Sequence, residues 1–200
     1  MARTRLTVTV IALAALASAT VAATAAIGLL QGSTETAAGR PAAFSWLRPA
    51  APPGSWSVTR LPGSPATLAY PPGWRLTHSD PGTRSAALFS ASGAYLGYLN
   101  ATPKSGGETL SNWRHFRPAH ITGEGERRIR VLSSARHLQF RGATGSCLTE
   151  GYTTTTHRYR EVACLVAGGK ASTVIVAAAP PGRWGHLKPV IERAISSFRT

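Results

Sequence analysis

The stretch from Phe140 to Ala179, FRGATGSCLTEGYTTTTHRYREVACLVAGGKASTVIVAAA, decides the fold. It reads as three consecutive strands with short turns between them and a cysteine in each of the first two. The third, Ser172 to Ala178, is apolar on both of its alternating faces. A strand of that kind lies inside a sheet covered above and below. If the first two strands form a hairpin turning between Thr155 and Thr156, Cys147 stands opposite Cys164 and Tyr152 opposite Tyr159. Directly opposed Cβ atoms in a non-hydrogen-bonded antiparallel pair come close enough for a disulfide, and the tyrosines make a favourable cross-strand pair. A staple of this kind belongs to an oxidising compartment.

Upstream, Arg3 and Arg5 precede an uncharged run from Leu6 to Leu30. Basic residues followed by apolar ones make an export signal whose start stays inside. Residues 1–30 are thus expected to be a signal peptide or a transmembrane signal-anchor. Ala17-Ser18-Ala19 and Ala23-Thr24-Ala25 have the small-x-small form of a cleavage site. Yet Ile27 to Leu30 continue the apolar run beyond both, and the whole run can span roughly 30 Å of hydrocarbon as a helix. On either reading the remainder lies outside the cytoplasm, secreted or anchored to the cytoplasmic membrane through residues 6–30. No cysteine precedes Cys147, so an N-terminal lipid has no acceptor.

Residues 31–55 are rich in proline, glycine and alanine and are expected to form an extended tether. Trp46 and Trp56 interrupt that pattern. Trp56 to Thr59 suits an edge strand docked on the domain, and Trp46 an interface with membrane or partner. The folded domain is expected over residues 56–200. Pro71-Pro72-Gly73 turns one short strand into another, and Ser92-Gly93 joins Arg84–Ala91 to Ala94–Thr102 as a hairpin. A helix is expected from Glu108 with Leu110, Trp113 and Phe116 on one face, stopped by Pro118. Arg127–Ser134 and His137–Arg141 read as two strands. A closing helix near His186–Phe198 carries an apolar stripe and places Pro189 in its first turn. Strands, helix, strands, helix with hairpin-length links make an α+β domain, a central antiparallel sheet with helices packed on it.

The chain carries 22 Lys+Arg against 8 Asp+Glu, a formal net charge of +14. Arginine and alanine enrichment is also what a GC-rich genome produces, so the charge alone does not establish an anionic partner. The sharper feature is a basic face drawn from Arg114, Arg117, Arg127, Arg128 and Arg130. In a strand from Arg127, Ile129 and Val131 would face the core while Arg128 and Arg130 face outward. Arginine forks suit phosphate and carboxylate groups. Outside the cytoplasm those belong to phospholipid head groups, anionic envelope polymers or acidic proteins rather than to nucleic acid.

Catalytic and metal-binding signatures are absent. The nucleophile-elbow pattern G-x-S-x-G does not occur, and His78 and Asp80 sit where a strand runs into a turn. His115 and His120 miss the helical ligand spacing, with no H-E-x-x-H or Cys-Cys-His cluster. No catalytic residue, metal ligand or cofactor is therefore assigned.

The strand entering a Pro-Gly-Trp turn, Leu68-Ala69-Tyr70-Pro71-Pro72-Gly73-Trp74, the opening Glu108-Thr109-Leu110 and the ending Ile195-Ser196-Ser197-Phe198 give residues 56–200 a family resemblance. The domain resembles the PsbP-like α/β/α sandwich and, within it, exported actinobacterial proteins of the LpqN kind. That resemblance implies a central antiparallel sheet flanked by helices and a non-enzymatic accessory or binding role, and it carries over no functional residue. The expectation is a cell-envelope binding or accessory protein of unspecified ligand. The alternatives are an extracellular hydrolase or transfer enzyme with an unrecognised site, and a lipid or small-ligand carrier. A deep cleft lined by His78 and Asp80 would favour the enzyme.

Overall fold

The computed structural model describes residues 42–200 apart from residue 170. After a 3-10 turn at Ala42–Phe44 come β1 (Ser57–Arg60), β2 (Thr67–Tyr70), β3 (Arg75–Thr77), β4 (Arg84–Phe89) and β5 (Tyr95–Pro103). There follow α1 (Trp113–Gly123), β6 (Arg127–Phe140), β7 (Ala143–Thr153), β8 (Arg158–Gly168), β9 (Ser172–Ala179) and α2 (Pro181–Ser197). β1 and β2 form a small antiparallel ribbon, and the other strands form one sheet in the order β3-β4-β5-β9-β8-β7-β6. Every neighbour in it is antiparallel. The expected α+β architecture is the one observed.

β9 occupies the middle of the sheet, and Thr173 to Ala179 are all buried. Its two apolar faces serve two layers. Ile175, Ala177 and Ala179 join Leu99, Ala101, Cys147 and Cys164 beneath α2, where Ile191, Ile195 and Phe198 close the core. Val174 and Val176 join Leu148, Ala163 and Leu165 beneath Trp113 of α1. Gly97 is required where it stands, because an added Cβ would lie 2.7 Å from the Trp74 ring.

Several expected boundaries move. The two strands foreseen between Arg127 and Arg141 are one, β6, interrupted by three register shifts, with Arg128 (φ 54°) and His137 (φ 58°) in left-handed conformation. An extra residue at each shift bends the strand without ending its pairing. α1 starts at Trp113 rather than Glu108 and runs through Pro118. The proline forfeits one helical hydrogen bond, while its own carbonyl accepts one from Thr122 Oγ1 at 2.7 Å. Burial of Trp113 on the sheet and of Ile121 in the following turns holds the helix together across the break. In α2 the first-turn position expected of Pro189 belongs to Pro181, and Pro189 lies inside the helix.

The packed domain also begins before Trp56. Phe44 and Leu47 are fully buried in the α2-side core, and the Ala50 N–H donates to Ser196 O at 3.0 Å. Proline content makes this stretch extended, but its apolar anchors still find the core, so the second half of the expected tether is part of the domain. Trp46 packs against the same core and donates from Nε1 to Ala43 O at 3.2 Å. Among the described residues no helix is long and apolar enough to cross a membrane. The export segment at residues 1–30 lies outside the described residues.

Candidate functional site

The β7–β8 hairpin has the register read from the sequence, with Cys147 opposite Cys164 and Tyr152 opposite Tyr159. The cysteines are disulfide-bonded with their Cα atoms 4.1 Å apart, both buried beneath α2. The tyrosine rings lie 5.9 Å apart on the opposite face. The disulfide is a structural part of the core.

The expected basic face divides. Arg117 points from α1 into the sheet, where its side chain is 13 % exposed. Arg114, also on α1, stays exposed on that side of the sheet, and Arg128 sits in the first bulge of β6. Arg127 and Arg130 instead face the α2 side, since they pair with Thr153 and Gly151 of β7. Those two residues pair in turn with Arg158 and Arg160 of β8. Paired residues in an antiparallel sheet share a face, so four exposed arginines surround Gly151 and Thr153. No carboxylate lies within ion-pairing distance of any of them among the described residues. Arg160 stacks its guanidinium 5.6 Å from the centroid of the Trp184 ring on α2, which pre-orients it. Arg158 and Arg160 were not foreseen as part of this patch.

On the α1 side the sheet carries an unforeseen second site. Glu150 and Glu161 face each other across β7 and β8, both with side chains wholly buried. Arg117 lies between them: Nη2 donates to Glu161 Oε1 at 2.8 Å and Nε lies 3.4 Å from Glu150 Oε1. Burial opposes the guanidinium's charge, but Glu161 and Glu150 hold its pKa above the ordinary value. Burial and the Glu161 charge, against the pull of Arg117, push Glu150 up to about 8. Burial together with Glu161 likewise raises Tyr152. With Trp113 Nε1 donating to Ala163 O at 3.0 Å, this ion cluster fastens α1 to the sheet.

α1 packs chiefly against β6 and β7, and its Trp113 reaches Val174 and Val176 of β9. A cleft of about 520 Å³ lies between α1 and the loop after β5. Tyr98, Asn100, Val176 and Glu161 contribute its floor, and Trp113 and Phe116 its helical wall. The floor is held by hydrogen bonds, with Asn100 Nδ2 donating to Ser85 Oγ at 2.9 Å and to the Tyr98 hydroxyl at 3.2 Å. Glu108 is buried at the loop side, where its Oε1 accepts the Ser105 N–H at 3.0 Å.

Asp80 reaches the rim of this cleft, but it is exposed, and His78 is exposed and outside the lining. They do not form a catalytic pair in a deep cleft. His120 pairs with Glu124 at 3.2 Å, and among the described residues no three His, Cys, Asp or Glu converge on a metal position.

A solved structure shares this architecture. The cyanobacterial PsbP protein of Synechocystis, CyanoP, superposes with a TM-score of 0.53 at 13 % identity, covering 73 % of this chain and 92 % of its own. The chain therefore has a PsbP-like fold. A Pseudomonas aeruginosa protein of unknown function gives 0.49 at 12 % identity over 74 % of this chain and 98 % of its own. LpqN, a Mycobacterium tuberculosis protein involved in cell envelope biogenesis, gives 0.37 at 16 % identity over 68 % of this chain and 88 % of its own. No protein-family model matches the sequence, and no curated protein matches it.

Proposed function

We propose that this PsbP-like chain is an exported, non-enzymatic accessory protein of the cell envelope that docks on an anionic surface through its α2-side arginine face. One observation carries the reading: Arg127, Arg130, Arg158 and Arg160 share one face around two small residues, and none has a carboxylate partner among the described residues. Four neighbouring forks without internal neutralisation match a surface of phosphate groups in chemistry. Phospholipid head groups and phosphorylated wall polymers both present such a surface. The disulfide supports a location outside the cytoplasm, and the bonded cysteines leave no thiol for chemistry.

Co-sedimentation of the full-length chain with phosphatidylglycerol vesicles, phosphatidylcholine vesicles and isolated cell wall tests this. Binding to the anionic partners that weakens between low and physiological salt supports it. Equal binding to both vesicle types, or none to any surface, overturns it.

A further inference from the structure

The arginine face has a floor as well as a rim. Arg127 and Arg130 lie on β6 and Arg158 and Arg160 on β8, so the four stand in two rows on either side of β7. Two strand spacings separate the rows by about 10 Å, room for one extended chain. Between them β7 presents only Gly151 and Thr153. The turn that follows is exposed from Thr155 to His157 and leaves that end of the trough open. α2 lies on the same face, with Trp184 against Arg160. A helix is about 10–12 Å thick, so α2 stands as a wall beside Arg160, and a flat surface meeting α2 is held away from Gly151.

Gly151 is the residue that points to an occupant. Glycine inside a strand weakens it, because it packs no side chain and loses the most freedom on folding. Packing does not call for one at this position. Its backbone is not left-handed, and an added Cβ would meet only the Tyr159 carbonyl oxygen, at 3.6 Å, an ordinary contact. A strand glycine that its neighbours leave room to replace marks a place where another chain comes close to the backbone. Here that place is ringed by four arginines without a carboxylate partner among the described residues.

We infer that the trough holds one strand of a linear phosphodiester polymer, laid over Gly151 with its phosphates taken by the β6 arginines on one side and the β8 arginines on the other. The inference rests on the reading of this face as an anion-docking surface and narrows it, from any anionic surface to a single chain. An arginine fork can bond two oxygens of one phosphate, so two facing rows grip a chain from both sides. A flat bilayer meets only the arginine tips and α2, and leaves the floor empty.

Titration calorimetry of the full-length chain with lipid-free poly(glycerol phosphate), beside co-sedimentation with phosphatidylglycerol vesicles, tests the inference. Polymer binding should be saturable and should weaken about tenfold in Gly151→Leu, whose side chain fills the floor. Vesicle binding by that variant should stay as in the parent protein. An unchanged melting temperature checks the fold of Gly151→Leu, and Thr153→Leu, at the end of β7 next to the turn, repeats the test. Polymer binding unchanged in both variants, an equal loss of vesicle binding, equal affinity for polyglutamate, or vesicle binding without polymer binding overturns the inference and leaves the docking face standing. Binding to no anionic partner removes the docking face as well.

Discussion

Glu150 and Glu161 stand directly opposite one another on adjacent strands, wholly buried, with a single guanidinium, Arg117, shared between them. Burial together with the Glu161 charge, against the pull of Arg117, raises Glu150 to about 8.

Removing the shared cation exposes the cost of the arrangement. Arg117→Ala leaves Glu161 buried without its counter-ion and leaves Trp113 to hold α1 on β8, which should destabilise the domain by about 3–5 kcal/mol. Replacing Arg117, Glu150 and Glu161 together with methionine should recover most of that loss, since an apolar cluster of similar volume needs no counter-ion. Urea unfolding of both variants decides it. A triple variant no better than Arg117→Ala would contradict this account.

The same pair makes stability depend on pH. An acid raised from 4.5 to about 8 in the folded state keeps a proton that the unfolded chain has released. Its stabilisation is complete below about pH 4.5 and is lost as pH rises through about 8. Glu161, Arg117, Tyr152 and Glu126 are the titratable groups around it. Glu126, raised by burial and by Glu124, acts in the same direction. Glu108 acts oppositely on the acid side: backbone N–H bonds outweigh its burial and hold its carboxyl low, so its contribution is lost as pH falls below the ordinary range. The urea midpoint should therefore fall between pH 5 and pH 8.5, and Glu150→Gln should flatten the fall. A midpoint equally flat in the parent protein rules the mechanism out.

Closing the loop between Cys147 and Cys164, a sequence separation of 17, restricts the unfolded chain. Replacing both with alanine should cost about 3 kcal/mol. Denaturant unfolding of the double variant measures this, and a loss below about 1 kcal/mol would show that the buried hairpin needs no staple.

Gly97 faces Trp74 and Leu187, with a built Cβ 2.7 Å from the indole and 3.0 Å from Leu187. Gly97→Ala should lower stability by about 1–3 kcal/mol through forced repacking. Gly93→Asn at the β4–β5 turn, where φ is 82° and nothing lies near, should cost far less. Thermal midpoints of the two variants in parallel separate overpacking from turn strain.

For the arginine face, Arg130→Glu with Arg160→Glu reverses two of four charges. At about 1 kcal/mol per basic residue near an anionic surface, removing the two attractions alone costs roughly tenfold or more in vesicle affinity. Arg114→Glu, on the opposite face, should cost little. Equal losses from both changes would point to net charge rather than to the face.

Local periodicity made much of this protein legible. Alternation and turn chemistry in residues 140–179 placed the hairpin, its register and the disulfide, because an antiparallel hairpin fixes its partners by the turn alone. That register also pairs Glu150 with Glu161, a signal present in the sequence. Pro118 and Pro189 do not mark helix ends, because burial of each helix outweighs the loss of one backbone bond. Phe44 and Leu47 belong to the core although their stretch looks like a tether, because proline content describes chain stiffness and not what apolar anchors will find.

What the sequence determined by itself was therefore what short-range geometry and composition control: the α+β class, the central apolar strand, the paired cysteines and the excess of positive charge. Only the tertiary structure decided which arginines stand together, because that depends on a bulge in β6 and on pairing across three strands. It alone withdrew Arg117 from the surface, set it between two buried acids, and gathered the scarce carboxylates around one cleft. Those relationships join residues far apart in the chain, and no local pattern encodes a distance of that kind.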